Sequence, residues 1–232
     1  MSYELSPRPV AQLGVESRGA FINRTYLHLF GAITAFVALE AWLFQSGIAE
    51  PIARKLLGLG AGWLLVLGAF MVVGWLASRV AHTAQSLPAQ YAALGGFVVA
   101  EALIMVPMLY AAMRISPDIP KQAATATIVA FAALTAIAFV TRKDFSFMRG
   151  TLIWMGVVAI GLIALSLLFG FHLGTWFTVA MLAFAGAAIL YDTSNVLHHF
   201  SEDRYVAGAL ELFASVALMF WYVLRLYMHS ND

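Results

Sequence analysis

Seven stretches of about twenty mostly apolar residues run through this chain, each long enough to cross the roughly 30 Å hydrocarbon core of a bilayer as a helix. Their limits are 25–46, 56–78, 91–113, 122–141, 150–170, 175–197 and 205–228. In hydrocarbon every backbone N–H and C=O needs a partner within the chain, and a helix supplies one locally. Composition agrees. Of 232 residues, 62% are hydrophobic and 11% are charged, whereas a soluble domain carries about 25% charged residues. So few charges cannot cover a globular surface. The expected fold is therefore all-α, a polytopic seven-transmembrane-helix bundle. Residues 1–24 form an N-terminal tail, 25–229 the membrane domain and 230–232 a short end. Between the fifth and sixth spans, Gly170, His172 and Gly174 predict a tight turn.

The tail has no apolar core of signal-peptide type, so the first span stays in the mature protein. Asn23-Arg24-Thr25 fits a glycosylation acceptor pattern and is read as a chance match against the first helix. Lys and Arg set orientation. One side carries eight (Arg8, Arg18, Arg24, Arg79, Arg142, Lys143, Arg149, Arg204), the other five (Arg54, Lys55, Arg114, Lys121, Arg225). The excess predicts a cytoplasmic N-terminus and a C-terminus across the membrane. Small residues four apart, at Gly58 and Gly62, Ala126 and Ala130, Ala183 and Ala187, are expected packing faces.

Several chemistries are excluded. The formal net charge is +1, without the basic face that a nucleic-acid partner needs. Cysteine is absent, which removes disulfides, thiolate metal sites and cysteine nucleophiles. The spans hold no lysine, so no retinal Schiff base forms. There is no H-E-x-x-H run, and His198 and His199 are adjacent rather than a turn apart. A phosphate-cradling glycine loop is also missing. Nothing forms a catalytic signature, and the chain is read as a non-enzyme.

The informative residues are four acids inside apolar helices: Glu40, Glu101, Asp192 and Glu211. An acid at mid-helix costs about 2.5–3.5 kcal/mol to insert, so its presence points to function. Asp192 lies near the end of the sixth span, with Asn195 on the same face. Glu211 and Ser215 share a face of the seventh. A short connection makes these spans antiparallel neighbours, so Asp192, Asn195, Glu211 and Ser215 are expected to cluster near the cytoplasmic side. The expected cation is Arg79, at the same depth on the second span, pairing with Asp192. Glu101 sits mid-span with Pro107 six residues on. The proline frees the Leu103 carbonyl and suits a hydrated ion path. Glu40 is read as packing or interfacial.

These residues carry a resemblance. The seven spans, the Lys143-Asp144-Phe145-Ser146-Phe147 loop, the Ile189-Leu190-Tyr191-Asp192-Thr193-Ser194-Asn195 helix end and the Glu101-to-Pro107 spacing resemble the Bax inhibitor-1 family, also called the transmembrane Bax inhibitor motif family. The likeness runs from about Arg24 to Tyr227. It implies a calcium leak sensed by two aspartates, one each on the sixth and seventh helices. Asp192 matches the first. The second falls at Ser215, a departure, and Glu211 lies one turn earlier. Arg79 matches the family's helix-two arginine. Thr193-Ser194-Asn195 and Ser215 are more similar to the bacterial YccA branch, which implies an inner-membrane protein engaging the FtsH protease through its tail, with Met1, Arg8 and Arg18 as contact positions.

Two readings follow. In the first, the protein is a pH-sensitive leak for cations, calcium above all. Asp192 and Glu211 bind the ion transiently, and protonation releases an Asp192–Arg79 latch. In the second, it modulates an FtsH-type protease by contact, without transport. Neither needs a resident cofactor.

Overall fold

The computed structural model describes residues 9–231, and among these the chain is helical apart from its turns. Eight α-helices follow a 3-10 turn at Val10–Gln12: α1 (Val15–Gln45), α2 (Ala49–Leu57), α3 (Trp63–Thr83), α4 (Leu87–Ile115), α5 (Ile119–Thr141), α6 (Met148–Phe169), α7 (Thr175–His198) and α8 (Tyr205–Asn231). All but α2 are long and apolar enough to cross a membrane, so the chain is an all-α, multi-pass membrane protein.

The seven expected spans are all present, most of them longer than their apolar cores. α1 begins at Val15, ten residues inside the expected tail, because Glu16 and Arg18 are tolerated on a helix that has not yet entered hydrocarbon. The short α2 was not legible as a helix. Glu50, Arg54 and Lys55 give it the look of a polar loop, yet Ala49 and Ala53 are buried and Arg54 pairs with Glu50 at 2.6 Å. The turn after α6 is as expected: Gly170 takes φ 73° and ends the helix in the left-handed region, where glycine pays no Cβ penalty. Pro107 lies inside α4 without ending it.

α8 is the hub. It packs against α1, α4, α5 and α7, and 72% of its apolar stretch is buried, against 6% for α6. Phe213, on α8, meets Phe36 of α1 and Phe97 of α4 at ring centroids 6.1 Å and 6.0 Å away. Close approach is concentrated at Gly208. A Cβ there would lie 3.2 Å from Thr25 Cγ2 and 3.2 Å from Val196 Cγ2. The expected small-residue faces hold only in part. Ala126 and Ala130 pack into the core around α8. On α7, however, Ala185 and Gly186 make the close contacts while Ala183 is exposed, and Gly58 and Gly62 flank a turn before α3.

The chain's loops sort onto two faces. On one, the Val10 amide donates to the Phe200 carbonyl at 2.8 Å, tying the N-terminal segment to the α7–α8 connection. Arg204 and Gln90 both donate to the Ala84 carbonyl, at 2.6 and 3.1 Å. The α5–α6 loop is pinned there as well, since the Phe145 amide donates to Ser194 Oγ at 2.9 Å and His199 meets Asp144 at 2.9 Å. We call this the N-terminal face.

Asp144 lies outside the spans, and the Ser146 backbone N–H hydrogen bond, with help from His199, holds its carboxyl below the usual aspartate range. A depressed carboxyl contributes stability that is full above the unfolded value of about 3.9 and is lost as pH falls through the folded one. Acidification below pH 4 is therefore expected to lower the protection factor of the Ser146 amide against hydrogen exchange, and Asp144→Ala to lower it at every pH. An amide equally protected at pH 3 and pH 6 would contradict this anchor.

Candidate functional site: a membrane cavity ending on carboxylates

A cavity of about 1350 Å³ runs between α3, α4, α6, α7 and α8. It exists because α6 leans chiefly on α7 and scarcely touches α3. Its walls are mostly aliphatic and aromatic, and three acids line them: Glu101, Asp192 and Glu211. Asp192 of α7 and Glu211 of α8 lie toward the N-terminal face, one on each of two antiparallel neighbours, as expected.

Their partners are in part those expected. Ser215 Oγ donates to Asp192 Oδ2, so these two residues do meet, one turn above Glu211. Glu211 pairs with a residue passed over in the sequence. His82, near the end of α3, presents Nε2 to Glu211 Oε1 at 2.6 Å, with the two side chains 36% and 24% exposed. Its ring also leans on Phe200 at 5.2 Å.

Arg79 makes no contact with Asp192 among the described residues. It is exposed, and its guanidinium lies 5.2 Å above its own helix's Trp75 ring. The reason is rotation: Arg79 and His82 are three residues apart, and α3 packs so that the histidine faces the bundle. A different basic residue, Arg149 of α6, lines a small cavity of about 320 Å³ with Asp192. Asn195 does not join the cluster either. It lines neither cavity, and its carbonyl accepts the His199 and Phe200 amides at the end of α7. Among the described residues no three of His, Cys, Asp or Glu converge on a metal position. A calcium ion at Asp192 and Glu211 would need hydroxyl, carbonyl and water oxygens to fill its shell.

Glu101 is buried and lines the cavity near mid-span. Glu40 of α1, expected to be packing or interfacial, is 6% exposed, and neither carboxyl oxygen has a hydrogen-bond partner among the described residues. Burying an unpartnered polar group costs about 1–3 kcal/mol. Glu40→Met is thus expected to raise the thermal unfolding midpoint of the detergent-purified protein by removing that cost; a lower midpoint would mean that the carboxyl is held by a bond of its own. Of the tail positions, Met1 and Arg8 lie outside the described residues, and Arg18 is part of α1.

The chain is thus a multi-pass helical membrane protein with two acids toward one end of an apolar cavity. A family model described as "Inhibitor of apoptosis-promoting Bax1" matches residues 18–232, and the chain belongs to the Bax inhibitor-1 family. Bax inhibitor 1 of Schizosaccharomyces pombe is 30% identical over 97% of this chain and 82% of its own. The Golgi anti-apoptotic protein of Vaccinia virus is 25% identical over 96% of this chain and 90% of its own. A membrane protein of Vibrio cholerae is 32% identical, over 54% of this chain and 58% of its own.

Proposed function

We propose that this protein is a pH-sensitive cation leak, with calcium as cargo, in a bacterial inner membrane with the N-terminal face cytoplasmic. The observation that carries this reading is a cavity extending through most of the bundle and stopping at Glu211 and Asp192, where His82 and Ser215 hold the two carboxylates. The carboxylates attract cations into an otherwise apolar cavity, and the contacts they make across α3, α7 and α8 keep its inner end shut. Opening is the separation of α3 from α8 at the His82–Glu211 contact, a two-state change that protonation biases. In liposomes loaded with a calcium dye, Asp192→Asn is expected to change the leak, because the amide carries no charge and reshapes the bond to Ser215. A variant that leaks like the wild type at every pH would remove Asp192 from the mechanism.

A second reading, contact with an FtsH-type protease, draws support from the N-terminal segment. Val10 is fully buried and hydrogen-bonded to Phe200, so a partner pulling on residues 1–8 would act directly on the α7–α8 connection beside the latch. The truncation that tests it must stop at residue 8, since losing Val10 and the first turns of α1 would damage the fold. Co-purification of the protease unchanged by that truncation would count against this reading.

A further inference from the structure

The opposite end of the cavity has a different chemistry. There it is lined by Arg225 and His229 of α8 and by His172 of the α6–α7 turn, and the three acids of the cavity lie deeper. The turn is a fixed rim. Ser166 Oγ donates to the Phe171 carbonyl at 2.6 Å, and Arg225 Nη2 donates to the Leu173 carbonyl at 2.6 Å. A guanidinium carries five N–H donors. No other protein acceptor meets those of Arg225 among the described residues, although the side chain is half-buried. A cation with spare donors at a cavity mouth is complementary to an anion with several oxygens.

The cavity wall is incomplete toward the bilayer. Leu67 and Met71 of α3 face Ile160 and Ile163 of α6 across it, and these two helices barely touch. Met71 and Ile160 are 48% and 45% exposed, so the gap is an apolar slot at the depth of lipid chains. Its length also fits. Arg225 stands fourteen residues from Glu211 on α8, about 21 Å along a helix. A lipid chain spans one leaflet, roughly half of the 30 Å core, and would end short of the Asp192–Glu211 pair. The volume exceeds the roughly 300–1,000 Å³ of ordinary ligand pockets.

We propose that the cavity receives one acyl chain of an anionic phospholipid from the surrounding bilayer, entering between α3 and α6, with its phosphate held at Arg225, His172 and His229. This does not rest on the calcium reading, and a protein that leaks no cation would still bind the lipid. The test is native mass spectrometry of the delipidated full chain with phosphatidylglycerol or phosphatidylcholine. Phosphatidylglycerol is expected to bind about tenfold more tightly, equivalent to about 1.4 kcal/mol. Arg225→Gln should abolish the preference and Arg225→Lys retain part of it. Ile163→Trp, which fills the slot without touching the charges, should weaken both lipids. Thermal unfolding checks that each variant is folded. Equal binding of the two lipids would overturn the proposal. So would phosphatidylglycerol binding that survives Ile163→Trp, because the lipid would then sit on the surface with its chains outside.

Discussion

Replacing His82 by glutamine is expected to raise the calcium leak, because it removes the imidazole that joins α3 to Glu211 of α8 at 2.6 Å. A hydrogen bond to a charged group contributes about 1.5–3 kcal/mol, but this pair is partly exposed, and screening brings it to the low end. The closed-to-open ratio should therefore fall roughly tenfold in His82→Gln. Glu211→Gln should have the same effect, since it removes the other half of the pair. The groups around the contact are Asp192 on α7, held by Ser215, and Arg204, occupied by Ala84 and Asp203. A leak unchanged in both variants would refute the histidine latch.

The second large effect concerns folding. Gly208→Leu is expected to destabilise the protein by about 3 kcal/mol, at the upper end for overpacking a core. Its Cβ would press on Thr25 and Val196, both with no exposure, and neither is a flexible chain end that can swing aside. The position joins α8 to α1 and α7 at once, so the added atoms cannot be accommodated by moving one helix alone. Gly208→Ala should show a smaller loss of the same sign. A midpoint of unfolding unchanged in the leucine variant would mean that α1 and α7 are not held where the structure puts them.

The helices were legible because hydrophobic length is a local property that each segment carries by itself. α2 was not, because its two buried alanines are surrounded by charges. The site was legible where the argument needed only neighbouring elements. Asp192 and Ser215 are on consecutive antiparallel helices, and their meeting follows from spacing and a short loop. His82 and Glu211 are 129 residues apart, and whether Arg79 or His82 turns inward depends on the rotation of α3 against α4 and α8, which no local pattern encodes. Glu40 was read as packing or interfacial, and its burial decides for packing, on a helix that α4 and α8 cover.

The central position of α8 has a consequence for biogenesis. The helix that fills the middle of the bundle leaves the ribosome after the seven helices that precede it. Until it is inserted, α1, α4, α5 and α7 surround an empty axis, and the acid on α7 lacks its serine. Assembly must wait for α8 to be inserted, and a chain truncated before residue 205 leaves the quality-control machinery a set of inserted but unassembled spans.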